Sequence, residues 1–123
     1  MVVRQLERQA GARAEQQADL LFHALADATR RDIVKRTMQA EHSVSSLARG
    51  YLMSFAAVQK HVAVLERAGL VVKQRRGREQ VVRGNVDTVH TAYRLLEQLE
   101  AMWRSRMDRF GDVLAESTEG ANP

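Results

Sequence analysis

Proline, the residue that breaks helices, occurs once in 123 residues, as Pro123. With no missing amide and no ring clash inside the chain, helix is permitted nearly everywhere. The length suits one domain with one small core, and 45% hydrophobic against 28% charged residues is a globular balance. Cysteine is absent, which removes disulfide frameworks, thiolate metal sites, iron–sulfur clusters and thiol nucleophiles together. No apolar run approaches the ~18–20 residues of a membrane span. The opening Met1–Glu7 turns polar too early for a signal peptide. The expectation is a soluble, cytoplasmic protein without a membrane partner.

The chain divides into helical segments and one hairpin. Arg4 to Gln17 is rich in helix formers, interrupted by Gly11, with Leu6, Ala10 and Ala14 as a thin apolar stripe. Such a helix is marginal alone and either frays or packs on a partner subunit. Asp19 to Ala26 is apolar nearly all round and predicts a short buried helix. Asp27 is placed to cap a helix over Ala28–Met38, with Ile33, Val34 and Met38 inward and Arg30, Arg31, Lys35 and Arg36 on a solvated face. Ala40–His42 reads as a connector. Ser43 or Ser45 caps a short helix ending near Gly50. Gly50–Met53 is a turn, and Ser54 caps a helix over Phe55–Ala68 with Val58, Leu65 and Val62 (or His61) inward, stopped by Gly69. Leu70–Arg75 and Glu79–Arg83 are the β-like runs, joined through Arg76-Gly77-Arg78. A last long helix is predicted over Asp87–Leu114, followed by a polar tail.

Charge is unevenly placed. Between Ser54 and Gly84 stand seven basic residues (Lys60, Arg67, Lys73, Arg75, Arg76, Arg78 and Arg83) against two acidic ones (Glu66 and Glu79), a surplus of five, whereas the chain as a whole carries +4. A local cationic surface of this kind suits a polyanionic partner. The two helices joined by Gly50–Met53 have helix-turn-helix proportions, in which the second helix projects its first turns into a DNA major groove. Those turns carry Ser54, Ala56, Ala57, Gln59, Lys60 and Ala63. Small residues allow close approach, Gln59 has the donor and acceptor for an adenine edge, and Lys60 can reach a phosphate or guanine. His61 lies next to the buried face, where it bonds either a phosphate or a neighbouring carbonyl. Arg75, Arg76 and Arg78 on the hairpin suit minor-groove or backbone contact.

Leu25-Ala26-Asp27-Ala28-Thr29-Arg30-Arg31-Asp32-Ile33-Val34, Val44–Ala48, the block Ser54–Val71 and the hairpin Arg76-Gly77-Arg78 together resemble the ArsR-type (arsenic-repressor-like) winged helix-turn-helix regulators. The resemblance covers about Leu20 to Phe110 and is most specific in Ser54–Val71. It implies a cytoplasmic homodimer that binds a palindromic operator on double-stranded DNA, usually as a repressor, with Gln59, Lys60 and His61 at base- or phosphate-contacting positions. The family's thiolate metal site needs cysteine, where this chain has Ser45, Ser46 and Ala48. Its other metal site needs Asp-x-His and His-x-x-Glu on the last helix, where this chain has Asp87, His90, Glu97 and Glu100 in a different spacing. No metal and no cofactor are expected.

The expected fold is therefore mainly α with a small β-hairpin: an N-terminal helix over 1–18, associated with dimerisation, a winged helix-turn-helix core over 19–84, a dimerisation helix over 85–116 and a disordered tail over 117–123. Along the last helix Val89, Tyr93, Leu96, Trp103, Met107 and Phe110 recur at spacings of three or four, continued by Leu114 and interrupted at Glu100. Beside them runs a second row, Ala92, Leu95, Leu99 and Met102, so that one row can pack on the core while the other meets a second copy. Glu97 and Glu100 read as ion-pair partners of Arg94 and Arg104. His23, His42 and His90 have no paired ligand at i+4. No Gly-x-Ser-x-Gly elbow or phosphate-cradling glycine loop occurs, so no enzyme activity is expected. The competing readings are a winged-helix module that binds a protein, and a repressor released by a small-molecule or metal effector.

Overall fold

The α4 helix, Phe55–Arg67, organises the chain by burying one stripe: Val58, Val62 and Leu65 are all buried. In the computed structural model, which describes residues 2–120, the order is α1 (Val2–Leu25), α2 (Ala28–Gln39), β1 (His42–Ser43), α3 (Val44–Arg49), α4, β2 (Val71–Arg76), β3 (Glu79–Gly84) and α5 (Val86–Gly120). The α4 helix packs against α1, α2, α3 and β2. Leu21, Ile33, Leu47, Leu70 and Val82 complete the core around its buried stripe.

Polar capping sets the helix starts. Asp27 accepts from the Arg30 amide at 3.0 Å, Ser43 from Ser46 at 3.0 Å, and Ser54 from Ala57 at 3.1 Å. Each satisfies a first-turn donor that has no partner within the helix. Of the two serines offered for α3, the structure uses Ser43. The end of α4 is a Schellman motif: the Gly69 amide donates to Glu66 and the Leu70 amide to Leu65, with Gly69 at φ 79°. That reversal drops Leu70 into the core and starts β2.

The sheet has the order β1-β3-β2, antiparallel throughout. Pairing of Arg76 with Glu79 leaves Gly77-Arg78 as a two-residue turn, with Gly77 at φ 62°. β1 takes the last residue of the expected connector, His42, and the capping Ser43; two residues carry no alternation that a sequence pattern could reveal.

Several local expectations need correction. α1 is one uninterrupted helix, so the segments expected over Arg4–Gln17 and Asp19–Ala26 are continuous through Ala18, and Gly11 lowers helix propensity without removing a hydrogen bond. The segment expected to be buried all round shows only Leu21 and Ala24 buried, while Leu20 and Phe22 are exposed. In α2 the inward position goes to Thr37, whose hydroxyl donates to the Ile33 and Val34 carbonyls, and Met38 is exposed. At the C-terminal end, α5 continues through Gly120, so 117–120 are helical rather than disordered; the rest of the expected tail lies outside the described residues.

One compact unit ends at Ala92, and the remainder of α5 from Tyr93 forms a second. Within the second, Arg104 pairs with Glu100 at 2.7 Å across one helical turn, as the spacing predicts.

Two substitutions test this core. Leu65→Ala should cost about 2–5 kcal/mol in urea unfolding by leaving a cavity under α4. Gly69→Ala should cost about 1–2 kcal/mol because its φ is left-handed.

Candidate nucleic-acid interface

With Val58, Val62 and Leu65 inward, the helical repeat places Ala56, Lys60 and Ala63 on the opposite side of α4, with Gln59 beside them. Ser54, Phe55, Ala56, Gln59 and Lys60 are exposed. The leading end of α4 therefore offers small residues, an amide and an ammonium group together, ahead of first-turn backbone amides that favour an anion. The four expected contact residues Ser54, Ala56, Gln59 and Lys60 share this end.

The turn before α4 is braced from α2. The Tyr51 hydroxyl donates to Asp32 Oδ2 at 2.6 Å, and the Arg36 guanidinium lies 5.3 Å from the Tyr51 ring centroid. Burial, followed by the bond to Asp32, pushes the Tyr51 phenol above its ordinary range. A Cβ at Gly50 would fall 2.5 Å from Arg36 Nη1, so a side chain there would displace this brace. These contacts join residues far apart in sequence and leave no local pattern.

Within the chain, His61 meets Arg30 rather than a neighbouring carbonyl. Its Nδ1 lies 3.3 Å from Arg30 Nη1, while Arg30 also donates to the Ala24 carbonyl at 2.8 Å and the His23 carbonyl at 2.9 Å. Arg31 donates to the Leu25 carbonyl at 2.7 Å. Both arginines, read from sequence as a solvated face, therefore satisfy the open C-terminal carbonyls of α1. Arg30 in addition links that end to α4. Asp27, bonded by the Arg30 amide, is held below the usual carboxylate range.

On the hairpin, Arg75, Arg76 and Arg78 are all exposed, but their surroundings differ. Arg76 makes a bidentate pair with Glu41, at 2.7 and 3.1 Å, which ties the hairpin tip to the segment before β1. The Arg76 guanidinium holds the Glu41 carboxyl below its ordinary range. Arg75 donates to the Gly77 carbonyl at 3.3 Å, within the turn, and Lys73 lies 3.8 Å from Glu66 on α4. Among the described residues Arg78 has no ion pair. Glu41 escaped the sequence reading, because thirty-five residues separate it from Arg76 and no local pattern joins the two.

Along α5, Val89, Tyr93, Leu96, Trp103, Met107 and Phe110 are all exposed in the single chain, with Tyr93 at 59% and Trp103 at 58%. In the second row Ala92 is buried, and Leu99 and Met102 are exposed. Among the described residues no three His, Cys, Asp or Glu side chains are grouped to hold a metal ion. None of the described helices is long and apolar enough to cross a membrane.

The Glu41–Arg76 pair has a definite pH signature. Because Glu41 is lowered in the folded chain, the pair is fully present above the ordinary glutamate range and is lost as pH falls through the lowered value. An NMR titration of the Arg76 side-chain resonances should report that low midpoint, and Glu41→Gln should abolish the transition.

Comparison with known proteins agrees with this arrangement. No family model matches the chain. An HTH-type transcriptional regulator of Mycobacterium tuberculosis is 41% identical over 63 residues, a match spanning 51% of this chain and 59% of that protein. The solved ArsR-like transcriptional regulator from Rhodococcus sp. RHA1 is 31% identical with a TM-score of 0.72, covering 80% of this chain and 93% of that one. The homodimeric winged helix-turn-helix DNA-binding domain from Mycobacterium bovis shares the fold at 23% identity and a TM-score of 0.59, over 80% of this chain and 89% of that one. The helix-turn-helix around Gly50–Met53, the hairpin wing and this similarity across most of the chain together show that the protein belongs to the ArsR family of transcriptional regulators.

Proposed function

We propose that the protein is a sequence-specific DNA-binding repressor that binds a palindromic operator as a homodimer. The observation that carries this reading is the leading end of α4, where Ala56, Gln59 and Lys60 are exposed opposite a buried apolar stripe. A major groove about 12 Å wide admits such a helix, Gln59 matches the adenine edge, and Lys60 matches a guanine edge or a phosphate. Ser54 and the first-turn amides take a phosphate, and the wing arginines run along the backbone or into the minor groove. His61 serves the interface through its link to Arg30, by holding α4 against the end of α1. Such a role places the protein in the cytoplasm with the DNA.

The exposed row Val89, Tyr93, Leu96, Trp103, Met107 and Phe110 on α5 supports the dimer, with a second copy of the same helix as its cover. A two-fold dimer then sets two α4 helices on half-sites about 34–36 Å apart. Repression follows where the occupied operator overlaps a promoter.

Selection of bound duplexes from a random-sequence library tests this directly. The expected result is an enriched palindrome, with no enrichment as the contrary result. On that duplex, Gln59→Ala and Lys60→Ala should each cost about 1–3 kcal/mol and relax one base position. Arg78→Ala should weaken all duplexes alike and lower the salt slope by about one. Because Glu41 neutralises Arg76, Glu41→Gln should strengthen binding to any duplex, as read by fluorescence anisotropy at fixed salt.

A further inference from the structure

Leu52 is fully exposed and Phe55 is 47% exposed, at the tip of the helix-turn-helix and the first residue of α4. A single exposed leucine needs no explanation. This one is held out: its neighbour Tyr51 is anchored to Asp32, and its neighbours Tyr51 and Met53 are both half-buried. The turn thus presents Leu52 on a braced support. Phe55 stands one helical turn before Gln59, on the same side of α4. Two large apolar side chains therefore precede the adenine-matching amide, with the small residues Ala56 and Ala57 between.

We infer that Leu52 and Phe55 read the 5-methyl groups of thymine in the major groove, so that the tip of the turn and α4 together recognise an A·T-rich step. The inference rests on the DNA-binding reading above and names the base chemistry of the same interface. The occupant follows from position. The apolar pair borders the exposed Ser54, Ala56, Gln59 and Lys60 in sequence, with Phe55 inside the stretch that carries the chain's positive surplus and Leu52 just before it, which suits a polyanion. Within the major groove the thymine methyl is the apolar feature of the base edges, and an A·T pair sets it beside the adenine N6 and N7 that Gln59 matches. A leucine or phenylalanine there gains by covering a methyl, whereas a polar residue would lose water without a bond in return.

Replacing single thymines by deoxyuridine tests the inference, since it removes the methyl and leaves the hydrogen-bonding edge intact. The probe is the duplex enriched from the random library, and the readout is the affinity of the full chain for each substituted version. At one or two positions in each half-site, deoxyuridine should weaken binding about threefold to fivefold, the effect of one buried methyl. Leu52→Ala, at a fully exposed position, should bind the thymine and deoxyuridine versions equally at one of these positions, and Phe55→Ala at the other. Gln59→Ala should bind more weakly yet keep the thymine preference. An enriched duplex indifferent to deoxyuridine throughout overturns this inference and leaves DNA binding intact. Variants at Leu52 and Phe55 that keep the full thymine preference overturn it as well. A library that yields no enriched duplex overturns the DNA-binding reading and this one with it.

Discussion

Burial of Val58, Val62 and Leu65 is the constraint from which the rest of the molecule follows. Because α4 is a helix with one apolar stripe, sealing that stripe against α1, α2 and α3 fixes its rotation. The opposite side, with Ala56, Gln59 and Lys60, is then left outward without any further device. The Ser54 cap fixes where the helix begins and the Schellman motif at Gly69 where it ends, so the exposed side is fixed in length and in angle. The same motif delivers Leu70 to the core and launches the wing, which makes helix and hairpin parts of one continuous construction.

Around this frame, charged side chains divide into those that brace and those that stay open. Arg30 and Arg31 close the carbonyl end of α1, and Arg30 reaches His61 on α4. Arg36 and Asp32 hold Tyr51 and with it the turn. Arg76 is shared with Glu41, so the wing carries less free positive charge than its three arginines suggest. Lys60 at the leading end of α4 and Arg78 in the turn of the hairpin have no ion pair among the described residues. In a surface that meets a polyanion, this division separates residues that set geometry from residues that set affinity.

The helix-turn-helix and the wing were legible in the sequence because each leaves a local signature. Capping serines at Ser43 and Ser54, apolar spacing in α4, and glycines at Gly69 and Gly77 act over a few residues and report themselves. The two-residue strand β1 left none, and neither did the partners of Arg30, Tyr51 and Glu41, which are distant in sequence. The exposure of the α5 row was foreshadowed by its width, since two apolar rows exceed what one small core covers. The continuity of α1 was not legible because a thin apolar stripe up to Gln17 gives way to a broad one from Asp19, and that change of pattern reads as a boundary although no proline interrupts the backbone.

The central claim is that the outward side of α4, set by its buried stripe, meets the base edges of DNA. Chemical-shift mapping of the isotope-labelled protein with an enriched duplex tests it most directly. The account predicts perturbations concentrated at Leu52 to Lys60 and at the hairpin tip around Arg78, with smaller ones at the braces behind them. Shifts confined to α1 or to α5, with the leading end of α4 unchanged, would contradict it.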